Sequence, residues 1–206
     1  MTLGRFITLE GGEGAGKSTL ARGICEALHA SGRDVVQTRE PGGSPGADDI
    51  RALLVRGDAA RWSAMEEALL FAAARSNHLA YTIRPALARG AWVVCDRFYD
   101  STRAYQVAAG GLDPKALDTL NALIDAPKPD LTLVLDLDPA AGLARSKGVE
   151  AGEDRFERKA ADFHARVRAA FLEIAATEPG RCVVLDASKG AAEVLERALG
   201  AINSRL

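Results

Sequence analysis

The chain has 206 residues, 48% hydrophobic, 26% charged and 5% aromatic. A fold of that size buries about 70% of its unfolded surface around one core, which argues against disorder or a coiled coil. Lysine plus arginine number 26 against 28 for aspartate plus glutamate, a formal net charge of -2, so no global positive field draws the chain to nucleic acid or an anionic membrane and any anion site must be local.

Residues 5–10 (RFITLE) have strand character and run into a glycine-rich turn. Apolar spacing then predicts a helix over 18–31 that Gly32 can close. The stretch 34–38 (DVVQT) reads as a second strand and 39–46 (REPGGSPG) as a loop. A helix over 47–56 follows, then another from Ser63, where Ser63 and Glu66 have capping-box spacing, to Asn77. Residues 78–89 stay helical except at Pro85, which kinks the helix or begins a new one.

The apolar run 91–95 (AWVVC) suits a strand buried on both faces and ends at Asp96. Helices over 101–109 and, with Pro114 in the first turn, 114–124 are separated by Gly110 and Gly111. Strand 131–135 (LTLVL) ends at Asp136, helix 140–147 gives way to the polar stretch 148–154, and a long amphipathic helix is expected over 155–177. Residues 182–185 (CVVL) supply a fifth strand and 191–204 a final helix.

Strands alternating with helices predict an α/β fold of three layers: a five-stranded parallel sheet with right-handed crossovers, flanked by helices, and a ligand crevice at the carboxyl ends of its strands. No repeat, linker or low-complexity tract divides the chain, so one domain over 1–206 is expected, with 146–157 as a small mobile lid. No apolar run approaches the roughly 20 residues that span a bilayer, and residues 1–5 do not form a basic, apolar leader, so the expected location is the cytoplasm, without nucleic-acid or membrane partners. Cys25, Cys95 and Cys182 are widely spaced within apolar patterns and read as buried, inert thiols.

The decisive chemistry lies at the first crossover. Gly11, Gly12, Glu13, Gly14, Ala15, Gly16, Lys17 and Ser18 fit G-x-x-x-x-G-K-[ST] between a strand and a helix. In that setting backbone N–H groups curl around phosphate oxygens and the helix start, with Thr19, adds its positive dipole end. Lys17 can reach the β- and γ-phosphates of ATP and the Ser18 hydroxyl can ligate Mg²⁺. The guanine-reading N-K-x-D of signalling GTPases does not occur, which leaves a compact phosphotransferase.

Several segments together resemble the bacterial thymidylate kinase (dTMP kinase) family of P-loop nucleoside monophosphate kinases. They are 6–20 (FITLEGGEGAGKSTL), 38–43 (TREPGG), 70–75 (LFAAAR) with His78, 96–106 (DRFYDSTRAYQ), 135–138 (LDLD), 154–157 (DRFE) and 186–189 (DASK). The resemblance implies the P-loop kinase fold and the reaction ATP + dTMP → ADP + dTDP with Mg²⁺. Two other readings compete: a P-loop kinase for a different nucleoside monophosphate, and a non-catalytic module that senses ATP.

Asp96, closing a strand beside the P-loop strand, can hold Mg²⁺ directly or through water. Arg97 can pair bidentately with a phosphate, and the resemblance gives it the dTMP phosphate. The same source places Arg39, Glu40 and Pro41 around the acceptor, the 40–41 bond being a candidate for cis geometry. Phe71 and Arg75 stand four residues apart on one helix face. The resemblance implies that thymine stacks on Phe71 and that its O4 accepts from Arg75, which carries donors only and so disfavours cytosine. Ser101, Thr102, Tyr105 and Gln106 are implied to face the base and deoxyribose, and Glu13 the acceptor sugar and phosphate.

Transfer spreads negative charge over the moving phosphoryl group, and cations must follow it. The P-loop here contains no arginine, so the resemblance points to the subtype whose lid supplies them: Arg155 first, then Arg145, with Lys147 also available. Ser188 and Lys189, after the fifth strand, are implied to lie near adenine. The family is usually homodimeric, and the helices around 69–79 and 104–112 are the surfaces offered for pairing.

Overall fold

The computed structural model describes residues 4–146 and 154–206. Five strands, β1 (Phe6–Gly11), β2 (Val35–Arg39), β3 (Trp92–Asp96), β4 (Leu131–Asp136) and β5 (Cys182–Asp186), form one parallel sheet in the order β2-β3-β1-β4-β5. β1 is central, so the loop that leaves it opens where the strands on its two sides diverge, the usual ligand crevice of such sheets.

Period-two alternation along β1 and β4 sends side chains to opposite faces. Ile7, Leu9, Leu131, Leu133 and Leu135 pack under α1 (Lys17–Ala30) and, across the same layer, α9 (Ala191–Arg205). The other face carries Phe6, Val93 and Cys95 toward α4 (Arg84–Ala88), and Val134 toward α8 (Ala161–Thr177). That second face also buries polar groups: Thr8 and Thr132 share a hydrogen bond of 2.8 Å, and Glu10 lies fully inside. The sheet is therefore apolar on the side under α1 and α9 and partly polar on the side under α4 and α8.

The expected helices are present with shifted ends. α2 (Pro45–Val55) starts two residues early because Pro45 fits the first turn, and α3 (Ala64–His78) opens on the Ser63–Glu66 capping box. The region around Pro85 widens into a π turn, Leu79–Ile83, before α4; a proline ring has no N–H to give and crowds the carbonyl four residues back, and the wider turn relieves both. α5 (Tyr99–Thr102) passes into a second π turn, Arg103–Ala109, ahead of α6 (Pro114–Leu123). α7 (Pro139–Ser146) precedes the 147–153 stretch, so most of the expected lid, Lys147 included, lies outside the described residues.

One expectation is overturned: no helix begins at Arg155. α8 starts at Ala161, and 155–158 form tight turns because the Arg155 side chain is pulled away into the chain body. All three cysteines are free and buried. No described helix is long and apolar enough to cross a membrane.

Arg181, just before β5 and 5% exposed, ties this framework to the site. Its Nη1 donates to Asp100 and to Thr132 at 2.7 Å each, and its Nε donates to Glu178 at 2.8 Å. Asp100 belongs to α5, which carries Ser101 and Thr102. Arg181→Met leaves the buried Asp100 carboxylate with Arg103 alone, at 3.1 Å, and urea denaturation should register a loss of about 3 kcal/mol.

Candidate active site

The phosphate loop is built by close backbone approach. A Cβ on Gly14 would lie 1.9 Å from the Gly142 carbonyl oxygen, and one on Gly142 would lie 2.2 Å from that of Glu13, so α7 clamps the loop through two glycines. Gly16 takes φ +92°, turning the chain into α1 with open space beside it. Lys17 Nζ donates to the carbonyls of Gly12 (2.7 Å) and Gly11 (3.3 Å), and burial together with the Arg97 charge pushes its ammonium below the ordinary lysine range. Ser18 Oγ donates to Asp96 Oδ2 at 2.7 Å.

Those two oxygens fit a hard divalent cation that takes its remaining ligands from phosphates and water. Among the described residues no group of three or more His, Cys, Asp or Glu side chains is arranged to hold a metal alone.

Arg97 joins the phosphate loop to the neighbouring cavity. Its backbone sits at φ +68°, a left-handed conformation rare outside glycine, with its N–H bonded to the Leu9 carbonyl at 2.9 Å. From there Nη1 donates to the Gly11 carbonyl (2.9 Å) and to Ser101 Oγ (3.0 Å), while Nη2 donates to Glu13 (3.0 Å) and to the Tyr105 hydroxyl oxygen (3.1 Å). The Tyr105 hydroxyl donates to the same Glu13 oxygen at 2.7 Å. Burial works against the charge on Glu13, but Arg97 and Lys17 outweigh it and hold the carboxyl at about 2.

The cavity beyond Arg97 is lined by Phe71, Arg75, Thr102, Tyr105 and Gln106, with Glu40, Pro41 and Arg51 at one side and Phe156 and Glu157 at another. Arg75 is 2% exposed; its Nε donates to Glu40 at 2.7 Å and Nη2 to Thr102 at 3.3 Å, whereas Nη1 has no hydrogen-bond partner among the described residues. Glu40 is held on its other oxygen by His78 Nδ1 at 3.1 Å, and the Glu40–Pro41 bond is cis. Phe156 stands edge-on to Tyr105, ring centroids 5.8 Å apart, and tilted against Phe71 at 6.2 Å.

A second cavity, lined by Gly16, Thr19, Arg145 and Lys189, flanks the start of α1. Arg145 Nη1 donates to the Ala187 carbonyl at 3.1 Å, and Ser188 folds back onto Asp186 at 2.5 Å.

The glycine-rich loop and the neighbouring cavity thus share one arginine. The chain matches the family described as thymidylate kinase over residues 9–198. Thymidylate kinase of Caulobacter vibrioides is 55% identical over 188 residues, covering 91% of this chain and 90% of that one. Thymidylate kinase of Rhizorhabdus wittichii is 53% identical over 201 residues, covering 97% of each. The crystal structure of thymidylate kinase from Ehrlichia chaffeensis superposes with a TM-score of 0.80 at 32% identity, covering 97% of this chain and 98% of that one. The chain belongs to the thymidylate kinase family.

Within this thymidylate kinase framework most of the expected residues converge. Two stand apart: Arg39, at the end of β2, is exposed and does not line the acceptor cavity, and Arg155 is wholly buried, its guanidinium bonded to the Leu54 and Asp58 carbonyls and to Glu67. Glu10, Arg51, Glu67 and Phe156 also lie at or behind this cavity, although the sequence gives none of them a role. Glu10 accepts from the Phe98 N–H (2.8 Å) and from Ser101 Oγ (2.6 Å), steadying the turn that presents Arg97. Its only sequence signal was a carboxylate in strand register with Thr8.

Burial and the nearby Asp100 carboxylate raise Glu10 to about 8, against the opposing pull of Ser101 and Arg97. A folded value above the unfolded 4.5 means that ionising Glu10 subtracts stability as pH climbs through the window from about 4.5 to about 8. Across that window the unfolding free energy of Glu10→Gln, followed by urea titration, should improve relative to the parent chain; parallel pH profiles would contradict this account.

Proposed function

We propose that this chain transfers the γ-phosphate of ATP to dTMP, giving ADP and dTDP, with Mg²⁺, in the cytoplasm and as a homodimer. The observation that carries the choice of acceptor is Arg75 Nη1, a buried donor without a partner among the described residues, in a cavity shared with an aromatic ring. A buried unmet donor is costly unless a ligand acceptor meets it. Thymine O4 is such an acceptor and its ring suits the Phe71 face, whereas cytosine would bring an amino donor to the same point.

Each residue then has a physical task. Lys17 exchanges its bonds to the Gly11 and Gly12 carbonyls for phosphate oxygens of ATP. Arg97, which Glu13 and Tyr105 already orient, offers its fork to the dTMP phosphate and lines it up with the donor. Ser18 and Asp96 would hold Mg²⁺, which when bound neutralises charge on the β- and γ-phosphates. Of the lid cations, Arg145 needs to release one described hydrogen bond, to the Ala187 carbonyl, whereas Arg155 must leave four, so we place Arg145 first. Lys189, lining the cavity beside α1, supports an adenine site there. No covalent enzyme intermediate is required, since positioning and charge compensation carry the rate.

For pairing, α3 offers exposed Met65 and Leu69, while Ala104, Tyr105 and Ala109 are spent in the chain's own core. Met65 and Leu69 therefore support a homodimer surface on α3 more than on the 104–112 stretch.

A steady-state ADP-release assay with dTMP, dCMP, AMP and GMP tests the reading. The dTMP kcat/KM should exceed the others by about a hundredfold or more. Phe71→Ala should lower it by about 10- to 100-fold through lost stacking. Equal rates across the four acceptors would refute the assignment.

A further inference from the structure

Behind the acceptor cavity lies a carboxylate that no step above uses. Glu67, on α3 and 4% exposed, takes two hydrogen bonds on opposite oxygens. Oε1 accepts from Arg155 Nη2 at 2.5 Å, and Oε2 accepts from Gln106 Nε2 at 2.7 Å. Arg155 is itself pinned, with Nε on the Asp58 carbonyl (3.0 Å) and Nη1 on the Leu54 carbonyl (3.1 Å). Its backbone N–H also reaches the Val55 carbonyl at 3.3 Å. Glu67 therefore has one oxygen locked on a cation and a single oxygen left to direct.

We propose that Glu67 is a positioning residue for acceptor choice, fixing the Gln106 carboxamide so that its oxygen, not its amide group, is left for the cavity. The argument needs no assumption about which way the amide points. An ionised carboxylate only accepts, so the group that Gln106 turns to Glu67 must be its NH₂. Reversed, two acceptors would meet at the 2.7 Å separation with no proton between them. Gln106 lines the cavity, and among the described residues its side chain is bonded to Glu67 through Nε2.

An acceptor at Gln106 beside the unmet Arg75 donor makes a pair complementary to the N3–H and O4 of a thymine-type imide. Cytosine reverses both positions. Selection against it thus rests on Glu67 as well as on Arg75, and Arg155 joins that selection to the 154–158 stretch through one carboxylate. This inference rests on the dTMP reading above.

Glu67→Gln tests it. The oxygen of the new amide must stay on Arg155, which only donates, so its NH₂ faces Gln106. Gln106 then turns over and shows its own NH₂ to the base. The kcat/KM for dTMP should fall about tenfold or more through KM, KM for ATP should stay within about twofold, and the dTMP:dCMP ratio should fall by about the same factor as the dTMP value. Adding Gln106→Glu restores an acceptor toward the base while the other oxygen receives the Gln amide, and should recover most of the ratio.

A folded single variant that keeps the parent ratio, one that loses both acceptors equally, or a double variant no better than the single would overturn the proposal. A parent chain that fails to turn over dTMP would remove the underlying reading as well, and the two failures are told apart by the parent assay alone. Should Glu67→Gln not fold, hydrogen exchange of the Gln106 side-chain NH₂ in the parent chain decides. Protection with and without dTMP is the expected result, and rapid exchange in both states overturns it.

Discussion

The Arg97 guanidinium is the hinge on which the site depends. It touches a carbonyl of the phosphate loop, a carboxylate of that loop and a hydroxyl of the acceptor cavity at once, from a backbone conformation that most residues avoid. Such a conformation persists because its surroundings over-determine it: the Leu9 carbonyl takes the N–H, and Glu10 holds the following turn through Phe98 and Ser101. The loop after β1 and the neighbouring cavity are thereby tied together through Arg97, and the Tyr105–Glu13 hydrogen bond adds a second link.

Around that hinge the acceptor side is backed by buried carboxylates. Glu40 aligns Arg75 and His78, Glu67 aligns Gln106 and Arg155, and Asp100 receives Arg181. Burying ion pairs gains little stability over apolar packing of the same volume, because desolvation offsets most of the attraction. Their use here is directional. Each carboxylate accepts on two oxygens with fixed geometry, so a long, flexible arginine or glutamine is held to one orientation at a place where a small ligand must be read. The face of the sheet under α1 and α9 needs no such parts and is packed with leucine, isoleucine and valine.

Much of the site was legible because its signals are local. The glycines and Lys17-Ser18 of the first crossover carry their meaning in eight consecutive residues, and Phe71 with Arg75 in a single helical turn. Arg155 misled for the opposite reason. It stands in a polar stretch beside an amphipathic pattern, which reads as a helix start with a free cation, yet its partner Glu67 is 88 residues away. Glu67 was equally silent, a helix-surface carboxylate by pattern that becomes interior only once the π turn of 103–109 and the 154–158 turns pack over it.

By itself the chain determined the alternation of strands and helices, the phosphate loop and the carboxylate and arginine that end β3, since periodicity and turn chemistry act over a few residues. Tertiary structure alone decided which buried charges became partners, where Arg155 went, and that Glu10 would sit beneath Arg97. Those outcomes depend on which elements dry each other's surfaces. A charge finds its counter-charge only after the low-dielectric space around both has been closed.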